Sequence, residues 1–216
     1  MKNIALFGGT FDPIHNAHLA LCAKIQASFH FQELLFLPAH IPAHKKSPHR
    51  VLDRVAMLKE ALKSHPIENT SICLTEINRL TKSYTVDTLE EFRQQTPNLA
   101  LTFILGFDMF LNLDTWHRPY DLLNLCNLLV LKRATVSNDL PPFSQKLLEN
   151  NLTKDKLKLK TASSSNIYIF DAGQYAISSS MIRTRVKNKL SIQKFVPESV
   201  ALYIKKHNLY CDKPIK

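Results

Sequence analysis

Gly8-Gly9-Thr10-Phe11-Asp12-Pro13-Ile14-His15-Asn16-Ala17-His18 follows directly on the apolar run Ile4-Ala5-Leu6-Phe7, and the junction between the two decides the fold. The run is short, continuous and apolar, as a strand buried on both faces is. Beyond the glycines, Leu19, Leu21, Cys22, Ile25 and Phe29 recur close to a 3.6-residue spacing, which predicts a helix with Asn16 as its N-cap. The expected order is strand, glycine turn, helix. The first backbone N–H groups of such a helix have no intrahelical partner and lie at the positive end of its dipole, so an anion is favoured just ahead of His18. His15 and His18, three residues apart, share a helix face or its lip and point to one place. The stretch reads as a phosphate cradle with two side-chain donors.

Plainer readings exist. A Gly-Gly turn serves wherever a chain needs positive φ. A His pair at i, i+3 is also half of a zinc site, but no third ligand stands at a recognisable offset and the chain has no Cys-x-x-Cys. Neither G-x-x-x-x-G-K-S/T nor G-x-G-x-x-G occurs, so a nucleotide site here uses histidines where those loops use glycines and lysine.

The 216 residues, 45% of them hydrophobic, suffice for one sizeable core and one domain. Cys22, Cys73, Cys126 and Cys211 are far apart and sit mostly in apolar runs, as free thiols of a reducing cytoplasm do. The first strand begins at once, without a basic segment and apolar core ahead of it, so a signal peptide is not expected. No apolar stretch approaches the length of a membrane span. A formal charge of +10 asks for an anionic partner without naming one. Part of the excess lies in Lys154, Lys156, Lys158 and Lys160, with no aromatic residue between Asn150 and Asn166. That is a solvated basic surface rather than a nucleic-acid platform.

Further along, Glu33–Leu37 is a second apolar run closed by Pro38, and the loop after it carries His40, Pro42, His44, Lys45, Lys46 and Pro48. Basic residues at a strand's carboxyl end suit phosphate. An amphipathic helix is predicted over 51–64, with Val55, Leu58 and Leu62 inward. Strands are predicted over 71–75, 101–105, 128–131 and 167–170. Ser83 or Thr85 and the cluster Ser178-Ser179-Ser180 read as helix caps. A polar, lysine-rich surface excursion is expected over 135–165, and a helical C-terminal part over 178–210.

The opening stretch resembles the Gly-Gly-Thr/Ser-Phe-Asp/Asn-Pro-x-His-x-Gly-His signature of nucleotidyltransferases with a class I synthetase-like fold, and within them the bacterial nicotinate-nucleotide adenylyltransferases. Ser83-Tyr84-Thr85-Val86-Asp87-Thr88-Leu89, Gly106-Phe107-Asp108 with Trp116 after it, and Ile177-Ser178-Ser179-Ser180-Met181-Ile182-Arg183 continue the likeness in order, and Arg54 fits the family's histidine-arginine helix. Three departures stand out. Ala17 replaces a glycine, its methyl either crowding a nucleotide or suiting the helix. Ala43 replaces the second proline of Pro-Pro-His-Lys, and Lys132-Arg133-Ala134-Thr135 has lost the proline and glycine of Arg-Pro-Gly.

The resemblance implies an α/β domain with a Rossmann-like parallel sheet flanked by helices. It implies adenylyl transfer from ATP to nicotinate mononucleotide, giving nicotinate adenine dinucleotide and pyrophosphate, with Mg2+ brought by ATP. Gly8, Gly9, Thr10, Phe11, His15, His18, Gly106, Asp108, Ser178, Ser180 and Arg183 would meet ATP. Asp12, His44, Lys45, Ser83, Tyr84, Thr85, Trp116 and Arg133 would meet the pyridine nucleotide, with His15, His18, Lys45 and Arg183 carrying the catalysis. A sibling phosphopantetheine adenylyltransferase shares the opening motif but not the 83–89 stretch or the tryptophan. A basic nucleic-acid-binding module on the same fold is the reading from another class. A class I aminoacyl-tRNA synthetase is disfavoured by the chain's length. Oligomeric state is not legible.

Overall fold

The computed structural model describes residues 1–40, 51–79, 82–132 and 140–211. Strands and helices alternate along it. β1 (Asn3–Gly9), α1 (Asn16–Phe29), β2 (Glu33–Pro38), α2 (Val51–Ser64), β3 (Thr70–Ile72), α3 (Thr75–Asn78) and α4 (Thr85–Gln95) form the first half. β4 (Ala100–Gly106), α5 (Phe107–Leu111), two 3-10 turns, α6 (Leu122–Leu125), β5 (Asn127–Lys132), α7 (Pro142–Asn151), α8 (Lys158–Thr161), β6 (Ile167–Asp171), α9 (Ser179–Lys187) and α10 (Glu198–Lys206) form the second. The six strands make one sheet in the order β3-β2-β1-β4-β5-β6, parallel at every pairing. In a sheet of this order the direction of winding reverses between β1 and β4, and a crevice opens there at the carboxyl ends of the strands.

The period of two sends successive residues of each strand to opposite faces. Ala5, Phe7, Leu34, Phe36, Ile104, Leu129 and Leu131 join one core with Leu21, Cys22 and Ile25 of α1, Met57 and Leu58 of α2, Leu159, Ile182 and Ile204. Ile4, Leu6, Leu35, Leu37, Leu101, Phe103, Leu128 and Val130 join the other with Val86 and Leu89 of α4, Phe110 and Leu122. Each fully buried Leu or Phe contributes roughly 1.5–3 kcal/mol. All four cysteines are free, and burial pushes the Cys22 and Cys126 thiols up to about 12. No helix among the described residues is long and apolar enough to cross a membrane.

Several local expectations are corrected. Gly8 and Gly9 are not a turn but the last residues of β1, paired with Leu37 and Pro38 of β2. They are glycines because a Cβ on Gly8 would lie 2.7 Å from the Phe103 ring, and one on Gly9 2.8 Å from the Phe11 ring. The left-handed residue of the junction is Phe11, at φ 49. The N-cap of α1 is His15 rather than Asn16. Asn16 is drawn away by the later chain: its N–H donates to Phe195 O at 2.9 Å and its amide to Lys194 O at 3.3 Å. Neither Ser83 nor Thr85 caps α4, whose N-cap is Tyr84 and has no side-chain cap bond. β3 is shorter than predicted, because Thr75 already opens α3. Of the lysine-rich stretch, α8 reaches the core, where Leu159 is buried and its carbonyl accepts from the buried Thr102 hydroxyl at 3.0 Å.

Candidate active site

A cavity of about 700 Å³ occupies the crevice, of a size that holds small molecules. Its floor is the end of β1 and of β4: Phe7, Gly8 and Gly9 on one side, Ile104, Leu105 and Gly106 on the other. Side chains from four separate stretches of sequence then rise around it.

On the α1 side, His15 and His18 stack with ring centroids 3.6 Å apart and planes 21° from parallel, so both imidazoles present themselves to one place. His18 is held edge-on by two phenyl rings, Phe11 at 5.2 Å and Phe7 at 6.1 Å. Phe11 is itself buried against Phe7 and Phe36. The phenylalanine of the motif is therefore a buttress that fixes a histidine rotamer. Among the described residues, those at the front of α1 open onto the cavity.

α9 enters from the far end of the chain. Ser178 caps it, its hydroxyl accepting from Met181 N–H at 3.2 Å. Ser179 Oγ donates to Pro13 O at 2.9 Å, and Arg183 Nη1 donates to Asp12 O at 2.7 Å. Arg183 Nη2 also donates to Ser180 Oγ at 3.2 Å, which leaves the guanidinium half-buried along the cavity wall. The Asp12 carboxylate is buried, accepts from the Tyr210 hydroxyl at 2.8 Å and lies 4.0 Å from Arg183 Nη1. Burial, and then this carboxylate, push the Tyr210 phenol far up, so it stays a donor. Arg54 is fully buried beneath the same junction, with Nη1 on Thr10 O at 2.6 Å and Nη2 on Ala39 O at 2.7 Å and His40 O at 3.1 Å. Burial lowers its pKa and the charge of Asp12 opposes that.

The opposite wall belongs to α4 and the segment after β4. Ser83, Tyr84 and Thr85 line the cavity, with the Tyr84 ring 4.4 Å from that of His117. Trp116 lines it too and meets Phe103 edge-on at 6.2 Å. Asp108 is exposed at the start of α5, on the rim.

Of the residues singled out from sequence, Gly8, Gly9, Thr10, Phe11, Asp12, His15, His18, Ser83, Tyr84, Thr85, Gly106, Asp108, Trp116, Ser178, Ser180 and Arg183 all border this one cavity. His44, Lys45 and Arg133 lie outside the described residues. Ala17 is buried at the lining. Glu76, His117, Met109 and Tyr175 also line it and were not foreseen, and neither was the support from Tyr210. Tyr84 beside His117 is an aromatic pair that only the fold brings together, since 33 residues separate them in sequence. No group of three or more His, Cys, Asp or Glu side chains suited to a metal occurs among the described residues.

Comparison with known proteins agrees with the geometry. A family model described as cytidylyltransferase-like matches residues 6–185. A protein of Legionella pneumophila (strain Lens) described as a probable nicotinate-nucleotide adenylyltransferase is 40% identical over 212 residues, 97% of this chain and 100% of that protein. One of Psychromonas ingrahamii with the same description is 35% identical over 96% of each chain. Among solved structures, Plasmodium falciparum nicotinic acid mononucleotide adenylyltransferase complexed with NaAD superimposes with a TM-score of 0.77 at 21% identity, covering 97% of this chain and 98% of that one. Taken with the order in which the four cavity-lining stretches occur, full-length identity at this level places the chain in the nicotinate-nucleotide adenylyltransferase family, on a cytidylyltransferase-like fold.

Proposed function

We propose that this chain transfers the adenylyl group of ATP to nicotinate mononucleotide. An oxygen of the mononucleotide's 5′-phosphate attacks the α-phosphorus, the bond from that phosphorus to the bridging oxygen of the β-phosphate breaks, and nicotinate adenine dinucleotide and pyrophosphate leave. The observation that carries the reading is the division of one cavity into a cationic, histidine-lined side and an aromatic side carrying Trp116 and the start of α4.

The nucleophile is ionised near neutral pH, so no general base is needed. The obstacles are bringing two anions together and stabilising the charge that builds on the transferred group and on pyrophosphate. Orientation of the two substrates supplies about 7–11 kcal/mol, and each donor aimed at developing charge about 2.7–4 kcal/mol. A helix dipole supplies about 0.3–1 kcal/mol at an exposed surface. His15, His18 and Arg183 therefore matter more than the helix ends that carry them. Lys45 is assigned to the same phosphates from the sequence. Mg2+ accompanying ATP adds charge neutralisation on the phosphates. It binds such substrates through their oxygens with few protein ligands, which suits a site whose carboxylate Asp12 is committed to Tyr210 and Arg183. Reaction in the cytoplasm fits the free cysteines.

The deciding measurement is pyrophosphate release from Mg-ATP with nicotinate mononucleotide, nicotinamide mononucleotide and phosphopantetheine in parallel. The highest kcat/KM is expected for nicotinate mononucleotide. Preference for phosphopantetheine would overturn the reading in favour of the sibling activity. Salt-sensitive binding of mixed nucleic acid with no pyrophosphate release would overturn it in favour of a binding module.

Trp116 is assigned to stacking on the pyridine ring. Loss of an aromatic platform costs about 1–3 kcal/mol per stacked base. Trp116→Ala is therefore expected to raise KM for the mononucleotide by roughly 5- to 150-fold while KM for ATP moves little. The reverse pattern, a raised KM for ATP alone, removes the assignment.

A further inference from the structure

Glu76 has no part in the chemistry above, yet it is 4% exposed and borders the cavity beside Ser83, Tyr84 and Thr85. A carboxylate is costly to bury, so its hydrogen bonds must be accounted for. Two chains of them end on it. In one, Arg79 Nη1 donates to Thr88 Oγ1 at 3.1 Å and Thr88 Oγ1 donates to Glu76 Oε1 at 3.2 Å. In the other, the His40 N–H donates to Ser83 Oγ at 2.9 Å, and the Ser83 hydroxyl is close enough to the Glu76 carboxylate to favour its charge. A hydroxyl has one proton. Because an N–H already feeds each oxygen, each hydroxyl keeps its proton to give, and the Thr88 proton goes to the carboxylate. An ionised carboxylate accepts both; a protonated acid or an amide brings a donor of its own into a place where donors already converge.

The elements so joined are those on which the pyridine wall depends. Ser83 and Thr88 belong to the entry and first turn of α4, and His40 to the chain leaving β2. α4 has no side-chain cap of its own, so its N-terminus is held from outside. Tyr84, between Ser83 and Thr85, packs its ring at a tilt against that of His117, next to Trp116. A shift of α4's entry therefore moves the aromatic wall, while the His15, His18 and Arg183 side is anchored separately through Asp12 and Pro13.

We propose that Glu76 is the positioning residue of the pyridine wall: as an acceptor for Ser83 and Thr88 it fixes the start of α4 against the chain at His40, and so sets affinity for the pyridine mononucleotide without contacting ATP. The inference rests on the adenylyl-transfer reading above. The surrounding charges work both ways. Burial raises Glu76 above its ordinary 4.5, the two hydroxyl bonds and Arg79 lower it, and Asp87 raises it. Glu91 is engaged by Arg79 Nη2 at 2.8 Å, and the His40 ring turns its Nδ1 to Ile77 O at 3.0 Å. Glu76 thus gives up its charge at a higher pH than an exposed glutamate.

The test compares wild type with Glu76→Gln and Thr88→Val, two replacements of similar shape, in initial rates against each substrate and in quenching of Trp116, the only tryptophan, by nicotinate mononucleotide alone. Leaving one buried donor without its acceptor is worth about tenfold or more. Both variants are expected to raise KM and the quenching midpoint for the mononucleotide by at least that factor, with kcat and KM for ATP within about twofold. The Glu76→Gln to wild-type ratio of mononucleotide KM should also shrink as pH falls, because wild type then loses the same acceptor; titration of the substrate phosphate cancels in the ratio. Equal losses toward both substrates, or a pH-independent ratio, would overturn the proposal and leave Glu76 a merely structural residue. Should Glu76→Gln not fold, Thr88→Val carries the affinity comparison. Absence of pyrophosphate release by wild type with any pyridine mononucleotide is a failure of the functional reading instead, and is seen before any variant is made.

Discussion

His18→Ala is expected to lower kcat by about 10²–10³-fold while KM for ATP changes by no more than a few-fold. Three features of the site combine to give an effect of that size and kind. The His18 ring is locked edge-on between Phe7 and Phe11 and stacked on His15 at 3.6 Å, so its geometry is fixed before substrate arrives. A donor held in place by rings gains little from a ground-state phosphate that water already solvates. It gains most when charge shifts toward the bridging oxygen of the departing pyrophosphate, since no reorganisation is then required. The junction itself is held through Asp12, Arg54, Arg183 and Tyr210. Removal of the His18 ring should therefore leave the cavity's shape intact. Steady-state kinetics with nicotinate mononucleotide saturating, and a thermal melt of the same sample, make the measurement. An unchanged kcat, or a loss confined to KM, takes His18 out of the transition state. His18→Gln, which keeps one donor but loses the ring contacts, should recover only part of the rate.

How far this site could be read from the chain depends on what each residue answers to. β1, α1, β2 and β4 follow from local pattern, because strands buried on both faces are continuous apolar runs and α1 repeats its apolar face at helical spacing. The convergence of His15, His18, Ser83, Trp116 and Arg183 was legible too, since each follows a strand or opens a helix and all strands are parallel. What failed was every inference in which a local preference was overridden from far away. Asn16 is an excellent capping residue, yet residues 194 and 195 claim both its amides. The glycines suggested a turn, but the sheet continues through them, and it is the Phe103 and Phe11 rings that exclude a side chain there. Ser83 could have capped α4, but its hydroxyl accepts from the His40 N–H instead. Tyr210 touches Asp12 across 198 residues, and Glu76 has no local pattern to mark it. Such partners are set by tertiary packing.

Arg54→Met is expected to cost about 3–5 kcal/mol of folding stability, the largest loss from any single side chain beneath the site. Where β1 and β2 end, the chain leaves the ladder and its carbonyls need other donors. Arg54, reaching up from α2 with no surface exposed, supplies them: Thr10 O from one nitrogen, Ala39 O and His40 O from another. Its charge also faces the buried Asp12 carboxylate. Methionine matches the stem and fills much of the space, so the cavity term is small. What remains is three carbonyls that have lost their Arg54 donors and a buried carboxylate that has lost one of its nearby cations, each a desolvation penalty. For a chain of this length about 2–4 °C of Tm accompanies each kcal/mol, which puts the expected fall at roughly 6–20 °C by calorimetry. Arg54→Lys restores the charge but not the planar fork that serves carbonyls on two separate loops, and should recover less than half of the loss. A Tm within about 2 °C of wild type for Arg54→Met would mean that the loops find other donors, and that the spacing between Thr10 and Ala39, on which the floor of the cavity depends, is set by the sheet alone.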